Sequence, residues 1–187
     1  MGAKLAARAA LVLILLASGC DARPEASAPA SAAAFNGTDV MYLQMGMSQI
    51  AEGSSLVALT VERAGDPELK AVATELQTQW PEELGSMQRW LIGWGQPLTA
   101  PSGSSHEGHG ELHMLRPSDI GELRSASGRT FDRTAVSLLL GHLGNVVETA
   151  RMETATGAYP PARAFAEGVT TRRQSQIQRL LALSARS

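Results

Sequence analysis

Val57-Ala58-Leu59-Thr60-Val61-Glu62-Arg63-Ala64-Gly65-Asp66-Pro67-Glu68-Leu69-Lys70-Ala71-Val72 is the stretch on which the fold turns. A periodic apolar run stops at Gly65, and another starts after Asp66-Pro67-Glu68. Glycine suits the residue just past a helix end. Asp66 is a helix cap, Pro67 sits in the first turn where its missing N–H is no loss, and Glu68 complements the helix dipole. The stretch therefore predicts two helices joined by a short turn, an αα-hairpin.

Working outward, Val40, Leu43, Met47, Ile50, Val57, Val61 and Ala64 recur at three- and four-residue intervals and predict the first helix, ended by Gly65. Leu69, Val72, Leu76, Trp80, Leu84, Met87, Leu91 and Trp94 form the second seam, with Pro81 expected to kink it. Set against itself at an offset of 93 residues, the chain repeats this pattern. Asp39 falls on Asp132, Leu43 on Val136, Ile50 on Leu143, Pro67 on Pro160 and Ala73 on Ala166. Val136, Leu139, Leu140, Leu143, Val146, Val147 and Ala150 make a third seam. Pro160-Pro161 starts a fourth helix, with Phe165, Val169, Ile177 and Leu180 on its seam. Gly95 to Pro117 is rich in Gly, Ser and Pro and reads as loop, and Ser118 to Ala126 as a short helix capped by Ser118. The expected fold is all-α: a four-helix bundle of two αα-hairpin repeats, about residues 37–95 and 130–185, related by a pseudo-twofold and joined by a long central loop.

Composition agrees. Of 187 residues, 44% are hydrophobic, only 4% are aromatic, and Val and Ile are sparse beside Ala and Leu, which favours helices over a β-sandwich. Charged residues are 18% with a net charge of −2, which argues against nucleic-acid binding through bulk positive charge. A single cysteine excludes an intrachain disulfide framework and a multi-cysteine zinc site.

That cysteine carries a different message. Lys4 and Arg8 precede a short apolar run, Ala9 to Ala17, ending in Ser18-Gly19-Cys20. This is a secretory signal, too short for a membrane span of ~20 residues. Leu16-Ala17-Ser18-Gly19-Cys20 resembles a bacterial lipobox, in which the chain is cut before a cysteine that then carries a diacylglyceryl group. The expected organisation is a signal peptide over 1–19, a flexible Ala-, Pro- and Ser-rich tether over 20–34, and the bundle over 35–187. Cys20 is the expected lipidation site, anchoring an extracytoplasmic protein to the bacterial membrane.

Three segments are similar to one family. Phe35-Asn36-x-x-Asp39-Val40-x-Tyr42-Leu43-Gln44-Met45 resembles the opening of the domain-of-unknown-function 305 family. Glu83-Leu84-x-x-Met87-x-x-Trp90-Leu91-x-x-Trp94-Gly95-x-Pro97 and Leu123-Arg124-x-Ala126-Ser127-Gly128-x-x-Phe131-Asp132-Arg133 resemble later parts of it. The likeness covers about residues 35–183. It implies a ferritin-like four-helix fold built of two repeats, frequent export, and in some members a link to copper, with no general enzymatic activity. The chain departs from the family at its helical His-His pairs. Those positions hold Gln49-Ile50 and His142-Leu143, while the preceding Met-Met pairs hold Met45-Gly46 and Leu138-Leu139. The paired acidic position is Glu83 in one repeat and Gln176 in the other, and the paired methionine is Met87 and then Leu180.

The densest remaining cluster lies in the central loop: His106-Glu107-Gly108-His109-Gly110-Glu111-Leu112-His113-Met114. Imidazole suits copper, nickel and zinc, and thioether suits Cu(I), so His106, His109, His113 and Met114 are the first candidate metal ligands. The bland alternative is a solvated linker. His142, Met45 and Met47 are further candidates, against structural roles as a hydrogen-bonded histidine and as core filler with Met41 and Met87. Glu83 is expected to pair with His142 or with Arg173. Trp80, Trp90 and Trp94 are expected in the core and at its rim. No Glu has a His three residues on, and no His-Glu-x-x-His, phosphate loop or Gly-x-Ser-x-Gly occurs, so no enzyme is expected. The leading expectation is a membrane-anchored lipoprotein that sequesters or hands off copper. The alternative is a structural or protein-interaction module of the same fold that has lost its ligands.

Overall fold

The computed structural model describes residues 34–100 and 115–186. Five helices lie within them: α1 (Gly37–Arg63), α2 (Pro67–Gly93), α3 (Pro117–Ser125), α4 (Gly128–Thr156) and α5 (Pro160–Ser184). No strand occurs among the described residues. The offset of 93 carries the last residue of α1 onto the last of α4, and the first of α2 onto the first of α5. Both hairpins of the four-helix bundle are thus cut to one pattern, with α3 inserted between them.

Local chemistry sets the boundaries. Asn36 caps α1 by accepting from the Thr38 and Asp39 amides at 2.8 and 3.1 Å, while the Asp39 carboxylate accepts from the Asn36 amide. Asp66 caps α2 through the Glu68 and Leu69 amides, as expected. Gly65 does not end α1 with a left-handed turn: α1 stops at Arg63 with Ala64 as its cap, in extended backbone. Gly65 instead donates its N–H to the Asp132 carboxylate. The short helix starts one residue before the expected point, at Pro117, because Asp119 reaches back to the Arg116 amide at 2.9 Å and makes Arg116, not Ser118, the cap. Helix α2 runs through Pro81 to Gly93.

Helix α1 packs on α2 and α4, and α4 on α5, whereas α2 and α5 make the loosest of the four side-by-side contacts in the bundle. Two apolar clusters fill the bundle. The first, around the α1–α2 turn, gathers Leu56, Val57, Leu69, Val72, Phe131 and Leu139, and is plugged by Leu123 of α3. Arg63 fixes that plug by donating to the carbonyls of Arg124 and Ala126 while lying 4.6 Å over the Phe131 ring. The second gathers Tyr42, Leu43, Met87, Leu91, Ala150, Ala166 and Val169. Beside it, six of the eight aromatic residues form a chain of ring contacts: Phe35 on Trp94, Trp94 and Trp90 on Tyr159, Trp90 on Phe165, and Phe165 on Tyr42.

Candidate functional site

Polar residues gather where the two apolar clusters meet. Gly46 and Gln49 of α1, Trp80, Glu83 and Met87 of α2, His142 of α4 and Arg173 of α5 line a cavity of about 10 Å³, room for about one water. Gln49 and His142 are equivalent in the two repeats, as are Trp80 and Arg173, so the cavity lies on the pseudo-twofold.

Two glycines make this interior possible. A methyl group on Gly46 would lie 2.6 Å from Met87 Cε, and one on Gly53 would lie 2.6 Å from both His142 Nε2 and Trp80. Both positions have ordinary helical backbone, so space and not dihedral freedom requires glycine. The same spacing keeps Met87 and His142 apart. Seven residues of helix rise ~10 Å. With Met87 Sδ 2.9 Å from the Gly46 position and His142 Nε2 2.6 Å from the Gly53 position, sulfur and nitrogen stand more than about 4.5 Å apart. A metal bonded at roughly 2.0 Å to nitrogen and 2.3 Å to sulfur does not bridge that gap.

Glu83 pairs with Arg173 and not with His142. Its carboxylate receives Arg173 Nη2 at 2.5 Å and Arg172 Nη2 at 3.1 Å. Arg173 is fully buried and also donates to the side-chain oxygens of Gln79 and Gln176 at 2.7 and 3.1 Å. The ladder continues outward along the α2–α5 seam, where Arg179 binds Glu68 and Glu75. Long polar side chains thus span the gap between the loosest-packed neighbours of the bundle. Burial lowers the proton affinity of the Arg173 guanidinium, and the adjacent Glu83 opposes that. With Glu83 held by two guanidinium groups, it is not free to take a cation.

His142 is 3% exposed and packs edge-on against Trp80 at 5.9 Å between ring centroids. Burial pushes its imidazole down to about 4, and the charge of Arg173 acts in the same direction. The ring is neutral at pH 7, and Nε2 has no protein partner. Such a nitrogen is able to ligate, yet it stands alone: among the described residues no group of three His, Cys, Asp or Glu side chains converges to hold a metal. Met45 is half-buried on α1, and Met47 is half-buried against the second apolar cluster. Cys20, His106, His109, His113 and Met114 lie outside the described residues.

The roots of the central connection are well defined. Trp94 caps α2, Gly95 follows with φ of 64°, and Gln44 of α1 donates to the Pro97 carbonyl at 2.8 Å. At its far side Leu115 and Ile120 pack against the first apolar cluster.

Sequence reasoning missed one paired device. Asp39 accepts from the Ala158 and Tyr159 amides at 3.1 and 2.9 Å, in the turn of the second hairpin. Asp132 accepts from the Gly65 and Asp66 amides at 3.0 and 3.1 Å, in the turn of the first. Each repeat holds the other's turn through equivalent residues. The signal was present, since Asp39 falls on Asp132 at the repeat offset, but nothing local showed what either carboxylate reaches.

The family described as domain of unknown function (DUF305) matches residues 39–184. No curated protein matches the chain. Among solved structures, a DUF305 fragment from Deinococcus radiodurans superposes with a TM-score of 0.69 at 19% identity, covering 82% of this chain and 99% of that one. A DUF305 protein of Streptomyces coelicolor, a candidate secreted protein, gives 0.72 at 17% identity, with 80% and 93% covered. CopM in its Cu(II)-bound form gives 0.65 at 21% identity, with 78% and 94% covered. CopM has also been solved in Cu(I)- and Ag-bound forms. At these identities the likeness is one of fold.

Proposed function

This chain belongs to the DUF305 family, and from that membership we propose that it is an extracytoplasmic lipoprotein, anchored through Cys20, whose central connection sequesters or hands off copper. The observation that carries the reading is the cluster His106, His109, His113 and Met114: three of the four histidines and a methionine within nine residues, in a chain whose fold matches copper- and silver-bound CopM. Imidazole and thioether suit Cu(I) and Cu(II), and a glycine-rich segment lets its ligands turn toward one ion. Fixing four ligand side chains around one ion costs conformational entropy, so the expected affinity is modest. The bundle supplies two fixed roots, at Pro97 and at Leu115, and its interior is structural, since Arg173 holds Glu83 and His142 is a lone nitrogen. The role is binding without catalytic turnover. Export fits the resemblance of residues 4–20 to a lipoprotein signal, and no helix among the described residues is long and apolar enough to cross a membrane.

Cu(I) competition titration tests this reading. Replacing His106, His109 and His113 together by alanine is expected to weaken binding at least roughly tenfold, each lost ligand being a large share of a small site. Unchanged affinity in that variant would contradict the assignment. Mass spectrometry of the mature N-terminus is expected to find acylated Cys20. An unmodified chain cut elsewhere would remove the anchor from the account.

A second reading is favoured by the interior itself: a scaffold that has kept the fold, filled its centre with the Glu83–Arg173 pair, and acts by binding a protein. Purification with no metal, together with one constant membrane-derived partner, would support it over copper handling.

A further inference from the structure

Each hairpin turn is held by an aspartate of the other repeat, but the two differ in what lies beneath. At the α1–α2 turn, Asp132 holds the backbone, and the buried position beneath is Thr60, whose hydroxyl is satisfied by the Leu56 carbonyl at 2.8 Å. At the α4–α5 turn, Asp39 holds the backbone, but the position equivalent to Thr60 is Glu153. Glu153 is fully buried, and neither carboxyl oxygen has a donor. The residue above it changes in step. Ala64 in the first turn becomes Gly157 in the second, where a methyl group would strike the Glu153 carboxyl carbon at 2.5 Å. Ala64 and Gly157 have nearly the same backbone, φ −60° and −63° with ψ 128° and 148°, so glycine is there to admit the carboxyl group.

A buried carboxyl without a donor is tolerated when it is protonated, and its O–H then needs an acceptor. Asp39 is the group in position to accept: its carboxylate binds the Ala158 and Tyr159 amides next to Gly157, against which Glu153 packs. It takes N–H donors from Asn36, Ala158 and Tyr159, which hold its own carboxyl below the ordinary range against the opposing effect of burial. We propose that Glu153 and Asp39 share one proton and form a latch: with the proton in place the α4–α5 turn is clamped to the first turn of α1, and on its loss two adjacent buried carboxylates repel and the turn loosens. Burial, then the hydrogen bond to Asp39, then the charge of Asp39 push the Glu153 carboxyl up to about 8. The other groups facing it are Arg163 of α5, which opposes the shift, and Tyr42 of α1. The latch bears on more than its own turn. Tyr159 carries the rings of Trp90 and Trp94, and Trp94 begins the central connection. Asn36, where the N-terminal segment joins α1, also bonds to the Thr156 carbonyl.

Hydrogen exchange of the full chain, corrected for the intrinsic pH dependence, tests the latch. The Ala158 and Tyr159 amides are expected to lose protection at least about tenfold between pH 6 and pH 9, a tenfold factor corresponding to one pKa unit of linkage. The Gly65 and Asp66 amides, which lack the second carboxyl, serve as the internal control and should not show this loss. In Glu153→Gln, which keeps the donor and removes the titration, the difference between the turns should vanish. An equal pH response at both turns, or an unchanged response in Glu153→Gln, overturns the proposal. Should that variant not fold, carboxyl carbon NMR of the native chain decides. A Glu153 midpoint near 8 supports the latch, and one near the ordinary 4.5 overturns it.

Discussion

Two buried titratable side chains give the protein a defined pH profile. Between about 4 and 6.5 the unfolded chain binds a proton on His142 that the folded chain refuses, so stability falls as pH drops through that window. Between 4.5 and about 8 the folded chain keeps a proton on Glu153 that the unfolded chain has released, so stability falls as pH rises through that window. The two slopes oppose each other from 4.5 to 6.5. The expected result is a broad maximum there, with a decline toward pH 8, read as urea midpoint against pH. His142→Gln should remove the acid limb, worth about 3 kcal/mol at most, and Glu153→Gln the alkaline one. A maximum above pH 8 would contradict the Glu153 assignment, and stability that keeps rising below pH 4.5 would contradict that of His142. At the same scale, Gly53→Ala should destabilise by about 1–3 kcal/mol, because a methyl group meets Trp80 and His142. Gly144→Ala, with open space around it, should be neutral or stabilise by up to about 1 kcal/mol. Thermal melts of the two variants are the check. Neither glycine role was visible in the sequence, where no local signal distinguishes the two positions.

At the scale of elements, two polar devices join helices that apolar packing alone would leave loosely specified. The reciprocal aspartate clasps tie each turn to the opposite hairpin. Asp132→Ala leaves the Gly65 and Asp66 amides without their acceptor and should cost about 1–3 kcal/mol by denaturant unfolding. A loss below about 0.5 kcal/mol would show that water replaces the clasp. The α2–α5 ladder is the second device. Arg173→Met leaves the buried Glu83 with only the partly exposed Arg172 and should cost up to about 3–5 kcal/mol, whereas Arg173→Met with Glu83→Leu should recover most of the loss. Equal instability of the single and double variants would mean that the pair itself, and not the avoidance of a lone charge, holds the seam. The helices were legible because periodicity and Asp66-Pro67-Glu68 are local signals. The middle of α5 was legible only in part: Arg173 was one of two expected partners of Glu83, but the burial of Gln176 beside it is explained only by the facing Gln79 and Glu75. Gly65 misled for a similar reason, since its partner Asp132 is far away in sequence.

At the scale of the molecule, the pseudo-twofold brings two copies of one hairpin around a centre where the copies have diverged. Gln49 and His142, and Trp80 and Arg173, are unlike residues at equivalent positions around one cavity, and the acidic and methionine positions have become Gln176 and Leu180. The repeat and the bundle could be read from sequence because seams recur at a fixed offset. The candidate interior site could be read only in outline, because whether His142 meets other ligands depends on packing among four helices. The proposed copper handling is therefore assigned to the central connection, with the bundle as its support. The most direct test is an amide chemical-shift map of the domain titrated with Ag(I) or Cu(I). Changes concentrated in residues 104–116 and at the Trp94–Thr99 root, with His142, Trp80, Glu83 and Arg173 undisturbed, are predicted. Changes centred on His142 and Trp80 would contradict the account by placing the metal inside the bundle.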